Sequence, residues 1–367
     1  MRRASLVGVT LMACVIAGIS ASAVLTPCDY NPAESSSIEL SLLGNGQWYN
    51  DPYLDNRNNM LYVTLSGDFS RFYQSSLFGY EITSTGGLAW SPGHSDTSLD
   101  ASGNAKYYFG DLPFAVGVVD TSLASGTAPS LDLTVGFGYG RFSDVTPLAL
   151  AIRIQNDLLD VGLLLAPLED AVLLQIADAI ADASLSSDER LVELENILTG
   201  TRLLVEGGLG ARGLLQIDQL LSSPGDPRLC GWDVQARAGV TLSQLEPVHD
   251  TLALSADYAI VPDPISQWRF SAQLTTGVSS LAEYQFEATI TYLRRLGDQW
   301  RLRSGYDFTH QVSMTASATD SHRLWGSLLI SLTHRLHLRI DAELRYATGD
   351  EEVTETLGIN VEFDALG

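Results

Sequence analysis

From Leu336 to Tyr346 the chain reads LHLRIDAELRY: every second residue is apolar and every residue between is ionisable. On a strand, Leu336, Leu338, Ile340, Ala342, Leu344 and Tyr346 share one face, and His337, Arg339, Asp341, Glu343 and Arg345 share the other. A helix would scatter the charges around its circumference. At period 2 they separate completely, and a strand of about 9–11 tilted residues is what crosses a bilayer.

The same alternation recurs along most of the chain. It begins with Ile38, Leu40 and Leu42, continues in Leu61–Phe69 and Phe78–Trp90, and gives two shorter candidates between Ala105 and Val119 hinged at Gly110–Pro113. A sixth candidate has Leu131, Leu133, Val135, Phe137 and Tyr139 facing one way, with Asp132, Thr134, Gly136, Gly138 and Gly140 opposite. The three glycines there predict a bend or another group packed close. Alternation returns at Trp232 and continues to Phe363 in eight further candidates, which predicts a closed antiparallel barrel of 14 strands within a range of 12 to 16. An even number is what single-chain bacterial barrels have.

Between residues 146 and 223 the period becomes helical. Thr146 stands as N-cap with Pro147 at the first helical position. Further helices are predicted from Pro167 to about Ala183, at Ser187 with Arg190–Leu198, and from Arg202 to Leu221, the last loosened by Gly207, Gly208, Gly210 and Gly213. This insert carries twelve acidic residues against four arginines, so it is a small acidic helical domain. The chain therefore divides into a lead-in at 24–37, barrel segments at 38–142 and 229–363, and the insert between them.

Strand parity assigns the connections to two sides. Long polar stretches at Tyr49–Asn58 and Ser91–Gly103 fall on the external side; Leu296–Asp298 and the short link at His334 and Arg335 fall on the periplasmic side, as does the insert. On this map the tryptophans lie near strand ends, Trp48, Trp90 and Trp325 at the outer rim and Trp232, Trp268 and Trp300 at the inner, an aromatic girdle at both interfaces. The ionisable residues of opposite parity then line the lumen: Asp233, Arg237, Asp257, Arg269, Glu283, Glu287, Arg301, Arg303, Asp307, Arg339, Asp341, Glu343 and Arg345. Charges facing lipid would cost about 2–4 kcal/mol each near the midplane, which forces them inward if the barrel exists. They either fill the interior with ion pairs or line a water-filled path.

Residues 1–23 have the form of an export signal, with Arg2 and Arg3, an apolar run over Leu6–Ile19 and the small-residue site Ala21-Ser22-Ala23. A content of 45% hydrophobic and 18% charged residues suits neither a disordered chain nor a helical membrane protein, and a net charge of -23 argues against nucleic-acid partners. Beyond the signal two cysteines remain, Cys28 and Cys230, and parity puts both at the periplasmic rim. An internal disulfide is the expectation; two free thiols or a bridge between molecules are the alternatives. Gly208-Leu-Gly-Ala-Arg-Gly213 has the letters of a dinucleotide fingerprint but no preceding strand, Gly93-His94-Ser95-Asp96 reads as loop polarity, and His334 and His337 fall on opposite strand faces. No cofactor, metal site or catalytic residues are expected.

In its strand length, inside-out polarity and tryptophan placement the sequence resembles outer-membrane β-barrel proteins in general architecture. Such proteins end on an aromatic residue read by the barrel assembly machinery; Val361-Glu362-Phe363 matches, although Asp364–Gly367 follow. The resemblance implies the bacterial outer membrane as location, its lipid and the assembly machinery as partners, and no enzymatic activity. Two functions follow as expectations. One is a porin-like channel or transporter for small polar solutes. The other is a non-conducting structural or assembly barrel whose insert binds a periplasmic partner.

Overall fold

The computed structural model describes residues 25–49, 60–91, 94–206, 208–222, 227–243, 249–278, 280–297, 299–313, 318–333, 336–348 and 353–364. The segment 1–23 read as an export signal, the loop at 50–58, the link at His334 and Arg335, and the side chains of Trp48 and Phe363 lie outside the described residues. Alternating segments become strands: β1 (Glu34–Tyr49), β2 (Met60–Ser75), β3 (Phe78–Ser91), β4 (His94–Tyr108), β5 (Pro113–Ala124) and β6 (Ser130–Asp144). After the helices come β7 (Leu229–Ser243), β8 (His249–Asp263), β9 (Ser266–Gly277), β10 (Ser280–Arg295), β11 (Trp300–Val312), β12 (Thr319–Ser331), β13 (Leu336–Ala347) and β14 (Thr354–Asp364). Each pairs antiparallel with its sequence neighbours, and β14 returns to β1, so the 14 strands close into a barrel. That closing seam pairs only Ser41–Gly44 with Val361–Asp364, whereas β1 and β2 pair along their whole length.

The outside of the ring is apolar. Val135 and Phe137 are each 70% exposed, Leu357 75% and Ile359 65%, and the strand registers place all four on one face. A surface of this kind would aggregate in water and is at home in hydrocarbon, where closing the ring pairs the ladder groups along every seam, only in part at that between β1 and β14. No described helix is long and apolar enough to cross a membrane, so the crossing elements are the strands. Some polar groups that face outward near the end away from the insert are partnered: His310 Nδ1 meets Asp320 Oδ1, and the Tyr306 hydroxyl meets His322 Nδ1 at 2.7 Å.

Three sequence expectations need correction. The polar stretch Ser91–Gly103 is not a long loop, because β4 begins at His94. The register turns Thr97, Leu99, Ala101 and Gly103 outward, a face too small and weakly apolar to announce a strand. Its histidine, serine and aspartate are no loop cluster either: consecutive on a strand, Ser95 and Asp96 point to opposite faces. The last helix starts at Gly210 rather than Arg202, since Arg202 takes a left-handed φ of 58° and Leu204 bridges to Leu164 instead.

The insert comprises α1 (Thr146–Asp160), α2 (Asp170–Ala181), α3 (Ser187–Gly200) and α4 (Gly210–Ser222). Apolar residues spaced three and four apart give it a core of its own: Leu148, Ile154 and Leu158 of α1 meet Ile176 of α2, Leu194 and Leu198 of α3 and Ile217 of α4. Ser186 caps α3 reciprocally, its hydroxyl accepting from the Glu189 amide while Glu189 Oε2 accepts from the Ser186 amide at 2.9 Å. Entry and exit are laced together, the Val145 amide donating to the Arg228 carbonyl at 2.7 Å and the Arg228 amide to Thr146 Oγ1 at 2.7 Å. The core continues into the barrel wall through Val261 at the end of β8 and into the lead-in through Tyr30, both almost fully buried.

Candidate functional site: the barrel interior

Register decides which residues share the interior. Directly paired residues point the same way, so one inward residue fixes the parity of the whole ring. Lys106 on β4 and Asp233 on β7 form an ion pair although their strands are three apart, which is possible only across the inside. Following the ladder from that pair, Arg237, Asp257, Arg269, Glu287, Arg301, Arg303, Asp307, Arg339, Asp341, Glu343 and Arg345 all fall on the inward face. Glu283 lies within the register shift between Ser280 and Tyr284, where the ladder does not fix its direction. Outward parity, with exposure at strand ends, holds for Trp90, Trp232, Trp268 and Trp300.

Trp325 departs from the expected girdle. It pairs with Gly305 and Glu343, both inward, and its Nε1 donates to Asp307 Oδ2 at 3.0 Å. The indole lies over Gly305, where an added Cβ would meet its ring. Nor does it lie at the rim: β12 begins at Thr319, so Trp325 is the middle residue of the strand, turned inward by parity, and the Asp307 carboxylate satisfies its only donor.

The interior has two unlike sides. On the first, Tyr108, Phe114, Val116 and Val118 form a buried apolar cluster on the inner face of β4 and β5. Phe114 lies on the bare backbone of Gly138, where any Cβ would enter the ring. Around Lys106, the ammonium sits 4.9 Å from the Phe114 ring centroid, and Asp233, 1% exposed, also accepts from Gln235 Nε2 at 2.9 Å. Asp257 is paired in register with Asp233. Gln74 reaches across Gly79 to donate to the Tyr108 hydroxyl at 3.1 Å.

This side is packed because the sheet is creased. On the inner faces of β6 and β7, a Cβ at Gly136, Gly140, Gly231 or Gly239 would run into a backbone carbonyl of the opposite strand: Ala236, Trp232, Arg141 and Leu133 respectively. Only glycine permits two strands to fold toward each other this sharply on the concave face. The crease brings β6 within 8 Å, Cα to Cα, of β1, and Ser143 Oγ donates to Asn31 Oδ1 at 3.3 Å. Strands five apart in a round ring would not meet.

On the second side, β11 to β14 present a ladder of arginines and carboxylates to water. Arg323 reaches Glu343 at 2.7 Å and Asp307 at 3.6 Å; Arg345 reaches Glu343 at 2.8 Å; Arg339 reaches Asp341 at 2.8 Å. Asn360 Nδ2 donates to Asp341 at 2.8 Å, and Arg339 Nε to Ser327 Oγ at 3.0 Å. The ion-paired side chains are between 23% and 57% exposed, against 13% and 1% for Lys106 and Asp233. Nearby, Arg237 reaches Gln273 Oε1 at 3.5 Å and Glu287 accepts from Gln285 at 2.6 Å. Facing the ladder, the inner wall of β2 to β6 carries Asp68, Asp100, Asp120 and Asp132 among serines and threonines, with a shallow hollow of about 270 Å³ beside the last three. Asp132 is on the face that alternation with Leu131 and Leu133 predicts, whereas Asp68, Asp100, Asp120, Arg323 and Lys106 are interior residues that the alternation alone does not single out.

At the end that bears the insert, the lead-in crosses the opening. Cys28 is bonded to Cys230 at the start of β7, with Cα atoms 5.5 Å apart, and its sulfur lies 3.4 Å from the Val261 amide nitrogen of β8. β1 begins only six residues later, yet stands seven strands from β8 around a ring of 14. Six residues reach about 20 Å. A round ring of this size, with strands about 4.8 Å apart and tilted about 40°, is roughly 28 Å across. The lead-in therefore spans the creased, narrowed mouth directly. On the way Tyr30 donates its hydroxyl to Asp178 of α2 at 3.0 Å. The first two turns of α1 are enclosed as well: beyond the core residues, Ala149, Leu150 and Arg153 are buried on the rest of its circumference.

No family model and no curated protein matches the chain. Among solved structures, the outer membrane protein Omp33 of Acinetobacter baumannii matches with 10% identity and a TM-score of 0.37 over 90% of this chain and 99% of that one. A BenF-like porin from Pseudomonas fluorescens matches with 7% identity and a TM-score of 0.33 over 90% and 98%. The translocator domain of the autotransporter NalP from Neisseria meningitidis matches with 7% identity and a TM-score of 0.28 over 98% and 95%. It is the closed ring of this chain itself, apolar without and ionic within, that makes it a transmembrane β-barrel of 14 strands carrying a helical insert.

Proposed function

We propose that the protein is a channel of the bacterial outer membrane for small polar solutes, with the insert on the periplasmic side. The single observation that carries this reading is the asymmetry of the interior. The insert-end half of the β4–β7 wall is filled, while the ladder of Arg323, Arg339 and Arg345 with their carboxylates stays open to water, as does the hollow of hydroxyls and aspartates in the other half of β3–β6. Solutes pass along the ladder, and its mixed charge sets which ones. The connections at the end away from the insert run from two to ten residues, and those at the insert end, the insert apart, from two to four, a modest asymmetry of the kind found in barrels inserted from the periplasm. No catalytic step enters this reading.

Planar-bilayer recordings test it. The purified protein should give discrete conductance steps, and the Arg339→Glu/Arg345→Glu variant should shift the reversal potential in a salt gradient toward cation preference. A protein that inserts into the bilayer yet never conducts, in full length and with residues 25–33 removed, would overturn it.

A further inference from the structure

On the insert, α2 and α3 leave an open groove of about 720 Å³ between them. Its floor is apolar, formed by Ala179, Leu185, Val192 and Ile197, and Val192 is 57% exposed although a helix of this insert has a core to bury it in. Its rim is acidic: Asp178, Asp182, Asp188, Glu189 and Glu193 line it, and no basic residue does. Arg190, the cation nearest in sequence, turns its guanidinium to the carbonyls of Asp182 and Leu185.

Three of the five carboxylates are spoken for: Asp178 by Tyr30, Asp182 by Ser184 and Glu189 by Ser186. The charge that remains is not arranged for the helix's own benefit. Glu189 and Glu193 are like charges four residues apart on one face, which weakens an isolated helix, and Asp188 stands beside them. An apolar strip flanked by net negative charge, which Arg190 offsets only beside Asp182, has the shape and charge of a receptor for an amphipathic cationic helix, whose apolar residues enter the strip while its lysines or arginines meet the rim.

We infer that the α2–α3 groove docks a basic amphipathic segment of a soluble partner protein on the insert's side of the membrane. This goes beyond the channel reading and is independent of whether the barrel conducts.

The test uses the full chain in nanodiscs of zwitterionic lipid, with empty nanodiscs subtracted, and a labelled 18-residue leucine–lysine peptide with its lysines on one helical face. The protein should bind this peptide at least ten-fold more tightly than a shuffled peptide of identical composition. Val192→Glu, and separately Asp188→Lys/Glu193→Lys, should each weaken binding by ten-fold or more without changing far-ultraviolet circular dichroism. Asp160→Lys/Glu169→Lys, which removes as much negative charge from outside the groove, should leave the affinity unchanged. Equal binding of the shuffled peptide, equal losses in the Asp160/Glu169 variant, or wild-type binding by the groove variants would each overturn the inference.

Discussion

The two sides of this barrel are written in the same alternation and hold opposite contents. Along β13, Arg339, Asp341, Glu343 and Arg345 look inward and stay wet. Along β4 to β7, Lys106 and Asp233 look inward and are packed among Tyr108, Phe114, Val116 and Val118. What separates them is not the polarity of the inward residues but the glycines of β6 and β7, which let the wall fold over on one side only. Period 2 fixes the direction of a side chain; the curvature of the sheet decides what it meets.

This comparison can be broken by experiments that treat the two sides alike. The largest effect belongs to Asp233→Ala, which leaves the buried Lys106 ammonium without its partner and should cost about 3–5 kcal/mol, seen as a lowered urea midpoint for protein refolded in liposomes. Next comes Gly138→Val, whose side chain must displace the Phe114 ring; the overpacking should cost about 1–3 kcal/mol in the same assay, while the same change at Gly103, where a Cβ meets nothing, should cost less.

A smaller effect is expected at the mouth. Burial, then the facing Asp178 carboxylate, raises the Tyr30 phenol above its ordinary value of 10.0, so the folded form holds the proton that the unfolded chain releases. Stability from this contact is therefore complete below about pH 10 and falls as pH rises past it. Tyr30→Phe should lose about 1 kcal/mol at neutral pH and flatten that alkaline decline, read from thermal melts across pH 8 to 11 on the order of half a unit apart. Smallest of all is Asp341→Ala on the wet side: its ion pair with Arg339 is about a third exposed, and its loss should cost under about 1 kcal/mol. If Asp341→Ala destabilised as much as Asp233→Ala, the two sides would not differ as described.

How much of this was legible depends on which face carried the signal. β13 announces itself because both its faces are extreme, and with the other well-alternating strands it suffices to give a closed 14-strand ring. β4 does not, since its outward Thr97, Ala101 and Gly103 offer lipid little more than backbone. The stretch Phe114–Val119 is apolar on both faces, so periodicity alone is silent about a packed interior there. Trp325 shows two sequence signals in conflict. Read as the start of a strand it suggests the girdle, and its parity against Leu324 and Leu328 points inward; β12 begins six residues earlier, at Thr319, so the ring sits at mid-strand on the inner face, bonded to Asp307. The crease could not be read at all: glycines on β6 hint at a close approach, but that β1 is what comes near follows only from the assembled ring.

The disulfide between Cys28 and Cys230 also changes the chain's connectivity. To close the barrel, β1 must find β14, two strands separated by about 320 residues along the backbone, and the search for such a distant partner grows costlier with the length of chain between. Once the two sulfurs are joined, a path from β1 back through the lead-in, across the bond and forward from β7 is only about 150 residues, which lowers the entropy of closure by roughly 0.7 kcal/mol. The crosslink thus makes the final zipping of the ring a shorter-range event, and it acts at the seam with the fewest ladder partners to hold it.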